Sequence, residues 1–320
     1  MINDKDFRTC ANPPNSQHGW TRRAALAGIA AGAAMPLMAQ PASSLRVVLL
    51  GTKGGPTPGP YRAAPATVLV LNGRALLVDC GNGTANQLAK ARVPLTSLSD
   101  VFITHNHSDH VIDAGAIAVL AWASGLDHAL TVHGPTPLRE IVGHQVAAMT
   151  YDIDIRIHEE GRKPLAPLLK VDERADPGVV LHEPGLTVTS ALVNHYGVKP
   201  AFAYRFDTPA RSVVISGDTT YSPALVALAE GADLLIHEAM YLPAISRLPG
   251  ENATRLTDHL LHSHSTTEQV GRVAAQAGVK KLVLSHLVPG NPAITDAMWL
   301  AGVRKSYAGE AVVGRDLLEV

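Results

Sequence analysis

The 320-residue sequence has few cysteines, few aromatic residues and little excess charge of either sign. Of its two Cys, Cys10 precedes the predicted folded region, so Cys80 alone remains there and no intramolecular disulfide can form. Aromatic residues make up 4% of the chain, too few to mark a pocket wall, and a net charge of −1 offers a polyanion little overall attraction. The chain has instead 46% hydrophobic residues, enough for a sizeable core, and 15 unevenly distributed His.

The first 42 residues are predicted to be an export signal. Arg22-Arg23 precedes an uncharged run of mostly Ala, Gly, Leu and Met that reaches Ala39 and is too short to span a membrane. This pattern is typical of a twin-arginine signal and predicts a periplasmic or secreted protein, with cleavage after Ala39 or Ala42. A buried N-terminal helix and an uncleaved anchor are the alternatives. Removal of the signal takes away four of the 27 basic residues and two of the 28 acidic residues. The remaining 23 basic and 26 acidic residues give the mature protein a net charge of −3.

Residues 43–320 are predicted to fold as one α/β (α+β) domain. Short β-branched or Leu-rich runs alternate with helical stretches in two successive halves, which predicts two sheets packed face to face with helices outside. Residues 151–184, rich in charge and Pro, are expected to form an arm with little regular structure. The predicted strands are 46–51, 66–71, 75–79, 101–104, 130–133, 186–193, 202–206, 212–216, 234–237 and 281–285, and the predicted helices are 84–91, 111–123, 137–149, 223–230, 266–277 and 293–306.

Four potential metal ligands lie within six residues directly after the predicted strand 101–104. In the sequence HNHSDH they are His105, His107, Asp109 and His110. His105 and His107 alternate and point the same way on an extended loop, whereas the other two face a second position nearby. Imidazole nitrogen and carboxylate oxygen are ligands that suit zinc, so this motif predicts a metal site. A polar loop without a metal is the alternative.

The HxHxDH motif resembles the signature of the metallo-β-lactamase superfamily, and the resemblance extends from Leu45 to the C-terminus. It implies a four-layer αββα sandwich that holds two divalent metal ions, expected to be Zn²⁺. The implied ligands, each at a strand end, are His105, His107 and His195 for one metal, Asp109, His110 and His286 for the other, and Asp218 as a bridge. Asp79 matches a motif that does not ligate and is expected to hydrogen-bond the ligand loop.

Two motifs, His237-Glu238-Ala239-Met240 and His264-Ser265-Thr266, together with the Ser-Gly-Asp-Thr run at 216–219, resemble the ribonuclease Z branch, whose relatives include bacterial arylsulfatases and cyclic-nucleotide phosphodiesterases. Asp218 stands where the common di-zinc β-lactamases have Cys, which disfavours antibiotic hydrolysis. Glu238 and His264 match a dyad that lies near the leaving group in that branch, although Met240 departs from the Thr usual in ribonuclease Z. A structural ion pair between Glu238 and His264 is the alternative.

The resemblance implies catalytic roles for three residues. Two metals would share a water and lower its pKa, and Asp109 would orient the resulting hydroxide. His264, kept protonated by Glu238, would donate a proton to the leaving group. A capping box over residues 265–268 predicts that His264 lies just before a helix. The neighbouring His259 and His262 are expected to be surface or loop residues.

Three observations favour an arylsulfatase-like function over a ribonuclease Z. The arm 151–184 leans acidic and lacks a Lys/Arg cluster that would hold tRNA, the chain carries an export signal, and the Gly-rich turn 51–56 with Arg62 resembles the opening of arylsulfatase-like members. The favoured function is therefore an exported hydrolase that cleaves a small anionic sulfate or phosphate ester by metal-activated hydroxide. No nucleic acid is expected as partner and no membrane after signal removal, and a homodimer is left open. A phosphodiesterase or ribonuclease Z-like endonuclease is the alternative, followed by a lactonase, a β-lactamase or a non-catalytic metal-binding protein.

Overall fold

A computed structural model describes residues 44–245 and 253–320, and the predicted signal of residues 1–42 lies outside them. The strands are β1 (Leu45–Gly51), β2 (Ala66–Leu71), β3 (Arg74–Val78), β4 (Leu98–Phe102), β5 (Leu130–Pro135), β6 (Leu169–Arg174), β7 (Gly178–Glu183), β8 (Leu186–Leu192), β9 (Phe202–Asp207), β10 (Ser212–Ile215), β11 (Leu234–Met240), β12 (Lys281–Val288), β13 (Glu310–Val313) and β14 (Leu318–Glu319). The helices are α1 (Thr84–Lys90), α2 (Ser108–Val111), α3 (Ala114–Ala123), α4 (Leu138–Ala147), α5 (Thr150–Glu160), α6 (Pro223–Leu228), α7 (Leu242–Ile245), α8 (Ala253–Ser263), α9 (Thr267–Ala277) and α10 (Asp296–Val303).

The strands form two seven-stranded sheets with matching arrangements. In the first sheet the order is β14-β1-β2-β3-β4-β5-β6, antiparallel as far as β3 and parallel from there on. In the second sheet the order is β13-β12-β11-β10-β9-β8-β7, parallel as far as β10 and antiparallel from there on. Parallel neighbours end at the same edge of a sheet, so loops that leave them meet there.

Alternation along the strands divides the apolar side chains between the two faces of each sheet. Val47 and Leu49 of β1 pack between the sheets with Phe206 and Val213, whereas Val48 of the same strand packs with the helices outside the first sheet. Helices α1, α3 and α4 cover the first sheet, and α6, α9 and α10 cover the second. The predicted four-layer αββα sandwich is confirmed.

The prediction of an irregular arm at residues 151–184 was wrong. This stretch forms α5 and then β6 and β7, which are the edge strands of the two sheets. Both edge strands are mostly half-buried or exposed, so polar residues occupy positions that would be apolar in a central strand and the hydrophobic period is weak. The Arg174 guanidinium donates to the carbonyl oxygens of Val179 and Val180 and ties the two edge strands together.

Smaller differences concern helix starts and segments without a clear sequence pattern. The capping box lies at Thr266 and Gln269, one residue later than predicted, and the Ser265 hydroxyl donates instead to the Thr219 carbonyl oxygen. Strands β13 and β14 and helix α8 were not predicted from the sequence. Within residues 44–245 and 253–320, none of the helices has the length and apolar character that a bilayer crossing requires.

Candidate metal centre

The predicted ligands lie at strand ends contributed by both sheets. The loop after β4 and the start of α2 carry His105, His107, Asp109 and His110, whereas His195 follows β8, Asp218 follows β10 and His286 lies near the end of β12. Gly217, just before Asp218, has φ +57°, and a Cβ there would lie 2.6 Å from the Phe202 carbonyl oxygen. Glycine therefore lets this turn pass close to β9 and brings the Asp218 carboxylate to the edge where the ligand loop lies.

Three imidazoles converge on the first predicted position. The His107 Nδ1 lies 3.1 Å from the His105 Nε2 and 3.0 Å from the His195 Nε2. Donor atoms on a tetrahedral zinc lie about 3.3 Å apart, given Zn–N bonds of about 2.0 Å. The three nitrogens are therefore spaced as the ligands of one small cation.

Asp109, His110 and His286 converge on the second position, and Asp218 lies between the two. The Asp109 Oδ2 is 3.4 Å from the His286 Nε2 and 3.6 Å from the His110 Nε2. The Asp218 Oδ2 lies 3.2 Å from the His286 Nε2, 3.4 Å from the His110 Nε2 and 3.9 Å from the His105 Nε2. One carboxylate thus contacts imidazoles of both groups, as the predicted bridging role requires.

Hydrogen bonds on the far side of the imidazoles hold the rings in place. The Asp79 carboxylate accepts from the His110 Nδ1 at 2.8 Å and from the backbone N–H of Thr104 at 2.8 Å, as expected for this residue. The His195 Nδ1 donates to the Ser263 carbonyl oxygen at 2.9 Å. Because Nδ1 carries the proton in both rings, Nε2 is left as the atom that faces the centre.

For His105, His107 and Asp218 the protonation states are those that metal binding needs. Burial, together with the neighbouring His110, keeps the pKa of His105 well below its usual value, and burial with His195 lowers the pKa of His107 to about 4. Burial raises the pKa of Asp218, but His286 and His110 outweigh it and hold that pKa well below 3.8. Neutral imidazoles and an ionised carboxylate are the ligating forms of these side chains.

Two buried polar atoms at the centre, the His110 Nε2 and the Asp218 Oδ1, have no hydrogen-bond partner among the described residues. Buried polar atoms are nearly always paired, so such atoms in one cluster indicate a missing partner. Because the donors are imidazole nitrogens and carboxylate oxygens with no thiolate, the residues fit divalent zinc or a similar borderline cation.

Glu238 and His264 form a buried pair beside Asp218. The His264 Nδ1 lies 3.1 Å from the Glu238 Oε1, and the same oxygen accepts from the backbone N–H groups of Thr219 and Ser265. Burial lowers the pKa of His264, but the Glu238 carboxylate outweighs it and raises that pKa to about 9. The imidazole is therefore protonated at neutral pH, and its Nε2 remains available as a proton donor.

The ligands open onto a cleft of about 270 Å³. Its walls include His264, the helix α8 and the Gly-rich turn that follows β1. A Cβ at Gly54 in this turn would collide with Val288 and lie 3.0 Å from the His286 Nδ1, so the turn packs directly against a candidate ligand. The cleft is large enough for part of a substrate but leaves most of a polymer outside.

The structure brings together every residue that the sequence predicted for the site. It also places His259 of α8 there, which sequence reasoning missed. His259 lines the cleft, and its ring centroid lies 6.4 Å from that of His107. The prediction of His259 as a surface or loop residue was therefore incomplete. Its spacing of three from His262 on one helix was the available signal.

The fold and the donor set define a metal-dependent hydrolase of the metallo-β-lactamase fold. The family model of the beta-lactamase superfamily domain matches residues 74–287, and the chain belongs to this superfamily. Its relatives include the ribonuclease Z of Mycobacterium avium, which is 34% identical over 279 residues, 86% of this chain and 98% of that protein.

Solved structures share the fold. The human tRNase Z, short form, has a TM-score of 0.63 at 22% identity, and the match covers 86% of this chain and 98% of that chain. The metallo-β-lactamase fold protein YhfI from Bacillus subtilis gives the same TM-score, identity and coverage.

The prediction of an arylsulfatase-like hydrolase was wrong, as was the expectation of a small anionic ester substrate and no nucleic acid. The full-length match to ribonuclease Z proteins favours the alternative, an endonuclease. The acidic arm that argued against tRNA is an element of the two sheets, so its charge says nothing about a substrate-holding arm. The overall charge was equally uninformative because the local field depends on the groups near the cleft, such as Lys53, which is half-buried beside the cleft wall.

Proposed function

We propose that this protein is a metal-dependent endoribonuclease of the ribonuclease Z type, which hydrolyses a phosphodiester bond in RNA. The observation that carries the proposal is the 34% identity that spans 98% of the Mycobacterium avium ribonuclease Z. The geometry of the cleft supports it, since a carboxylate between two groups of imidazoles and a protonated imidazole line the same cleft.

The seven converging residues would hold two divalent cations, with zinc favoured by the donor set. His105, His107 and His195 would form one site, Asp109, His110 and His286 the other, and Asp218 would contact both. When bound, two such cations stabilise negative charge on phosphoryl oxygens and make water nucleophilic at neutral pH. Asp79 contributes by fixing His110 and the start of the ligand loop.

His264 is the proposed general acid. Its Nδ1 is held by Glu238, and the protonated ring lines the cleft, so its Nε2–H can transfer a proton to the leaving oxygen of the cleaved bond. A ribose oxygen is a poor leaving group and needs this proton, an effect worth roughly 10²–10⁴-fold. Asp109 lines the same cleft and is placed to accept a hydrogen bond from the attacking water.

The test is cleavage of a 3′-extended tRNA transcript by zinc-loaded protein. The 5′-labelled transcript should give one main product, whose length maps the cleaved bond. A single-stranded RNA of the same length, p-nitrophenyl sulfate and bis-p-nitrophenyl phosphate are assayed beside it. The proposal predicts that the folded transcript is preferred over the single strand and that the sulfate ester is not hydrolysed.

The matched control is Asp218→Ala, which should cleave none of these substrates and thus excludes a contaminating nuclease. Metal-loaded wild-type protein that hydrolyses bis-p-nitrophenyl phosphate but leaves both RNAs intact would contradict the proposal. Preference for the sulfate ester would contradict it as well.

We also propose that residues 1–42 direct export, on the basis of Arg22-Arg23 and the uncharged run that follows. Fusion of these residues to a reporter that is active only after export tests this directly. The double variant Arg22→Lys, Arg23→Lys should retain the reporter inside the cell, and unchanged export would contradict a twin-arginine route. RNA cleavage by the purified enzyme does not depend on this outcome.

A further inference from the structure

Three aromatic side chains form a cluster at the rim of the cleft. We call it the rim cluster: Tyr196, directly after the ligand His195, and His259 and His262 on α8. The Tyr196 ring lies 5.4 Å from the His262 ring at an interplanar angle of 33°, and 6.3 Å from the His259 ring. His259 in turn lies 6.4 Å from His107, so the cluster connects the candidate metal centre to the surface.

The rim cluster is not part of the core. Tyr196 is 50% exposed and the His262 side chain 56% exposed, although an aromatic ring gains stability by being buried. Tyr196 also has φ +48°, a backbone conformation that disfavours bulky residues. Helix α8 carries the two His on a segment in which Ser263 is the buried residue. The exposed face of the Tyr196 ring, held beside the cleft in a disfavoured backbone conformation, indicates a ligand that stacks on it.

The orientation of the rings suits a flat aromatic ligand. The His262 Nδ1 lies 2.8 Å from the Asp258 carbonyl oxygen, which fixes the imidazole, and the Tyr196 ring lies tilted against it. Single-stranded nucleic acid is held largely by bases that stack on Tyr, Phe, Trp and His side chains. No cation is required for such stacking, so the rim cluster contributes an interaction that the metal centre cannot supply.

We propose that the rim cluster is a stacking platform for one nucleobase of the RNA, next to the phosphodiester that is cleaved. This inference rests on the proposed ribonuclease function and adds a positioning role for Tyr196, with His259 and His262 supporting the base. Stacking there fixes the strand as it enters the cleft, so it acts on substrate binding and leaves the chemical step unchanged.

A substrate-by-enzyme cycle tests the platform. The cleavable RNA is prepared with a single abasic nucleotide at each position around the cleavage site, and KM and kcat are measured for wild-type protein and for Tyr196→Ala. At one position, base removal should raise the wild-type KM by about 5- to 150-fold, the range expected for one stacked base. Tyr196→Ala should raise KM on the intact RNA by a similar factor. On the RNA that lacks the base at the sensitive position, Tyr196→Ala should raise KM no further.

Two control variants separate stacking from structural damage. Tyr196→Phe keeps the ring and should keep the wild-type KM, whereas Tyr151→Ala removes an exposed aromatic of α5 that is 80% exposed and should change nothing. His262→Ala should weaken the base dependence at the same position as Tyr196→Ala.

The outcomes distinguish this inference from the function on which it rests. If wild-type protein cleaves the RNA but the abasic and Tyr196→Ala effects multiply at every position, the platform is refuted and the ribonuclease function stands. If Tyr196→Ala lowers kcat on RNA and on bis-p-nitrophenyl phosphate alike, Tyr196 supports the metal centre instead and the platform is refuted. If wild-type protein cleaves no RNA, both proposals are refuted.

Discussion

Two clusters of His and carboxylates among the described residues differ in how their polar atoms are paired. The first, which we call the sheet cluster, consists of Arg74, Asp100, His133 and Asp172. Its His133 lies 2.9 Å from the Asp100 Oδ1 through Nε2 and 3.0 Å from the Asp172 Oδ2 through Nδ1. The second, the ligand cluster, consists of the seven candidate ligands and leaves buried nitrogen and oxygen atoms without partners among the described residues.

The backbone is regular at the sheet cluster and strained at the ligand cluster. His133 faces Phe102 on one side and Asp172 on the other in regular strand register, and its ring stacks on the Phe102 ring at 4.7 Å. The ligand cluster lies at strand ends. Positive φ occurs there at the ligand His286, at Tyr196 after His195 and at Gly217 before Asp218. Local strain and unpaired buried atoms in one place indicate a ligand, whereas a fully paired cluster in regular strands indicates structure.

Loss of a central ligand should give the largest effect. Asp218→Ala removes the carboxylate that contacts imidazoles of both groups, so metal content and activity should fall together. The loss should exceed the roughly 100-fold that follows removal of an outer hydrogen-bond partner. Metal analysis and kinetics on the same preparations measure it, and a chelator should reproduce the loss in wild-type protein. Retention of two metals per chain in Asp218→Ala would refute the bridging role.

Loss of the proposed acid should come next and should depend on the leaving group. His264→Ala should lower kcat on RNA by roughly 10²–10⁴-fold, because the ribose leaving oxygen needs a proton. Hydrolysis of bis-p-nitrophenyl phosphate should suffer much less, since nitrophenolate leaves without one. Glu238→Gln should show the same pattern more weakly. Equal losses on both substrates, at wild-type metal content, would rule out the general-acid role.

The outer contact of the ligand cluster should have a smaller effect. Asp79→Asn keeps the shape of the side chain but replaces the charged acceptor of the His110 Nδ1–H with an amide. Metal affinity should fall by about 10- to 100-fold, while saturating zinc should restore most of the activity. Competition with a fluorescent chelator measures the affinity. An unchanged affinity would mean that the loop holds its ligands without Asp79.

The ligand cluster was predicted, four of its residues from the HxHxDH motif and the other three from the family resemblance, whereas the sheet cluster was not. The HxHxDH motif compresses four ligands into six residues, so their chemistry is visible without the fold. Asp100, His133 and Asp172 are spread over three strands, and only the parallel register of β4, β5 and β6 brings them together. Strand β6 was itself not predicted because, as an edge strand, it lacks a clear hydrophobic period.

The rim of the cleft could not be predicted for a related reason. His259 and His262 lie on α8, whose residues are mostly exposed or half-buried. Their proximity to Tyr196 depends on how the chain crosses from the second sheet, 63 residues or more along the sequence. The spacing of His259 and His262 was visible in the sequence, but nothing in the sequence places either residue beside Tyr196.

The smallest predicted effect concerns the sheet cluster, in the variant Asp100→Asn. Burial raises the pKa of Asp100, but hydrogen bonds from His133 and Arg74 outweigh it and hold that pKa below its unfolded value of 3.8. The carboxylate therefore stabilises the fold fully above about pH 4, and this contribution is lost as the pH falls through the lower folded pKa. At pH 7 the variant should be less stable by about 1–3 kcal/mol, since charge-assisted hydrogen bonds become neutral ones.

The stability gap should therefore close in acid, while metal content and activity per metal-loaded molecule stay at the wild-type level at neutral pH. Thermal unfolding of both proteins from pH 7 to pH 3, each with chelator present so that acid release of metal affects neither, measures the gap. Because the amide that Asp100→Asn introduces cannot be protonated in this range, the wild-type Tm should fall more steeply below pH 4. A gap that stays constant to pH 3 would mean that Asp100 contributes its shape and not its charge. Loss of metal in this variant would show that the two clusters are coupled.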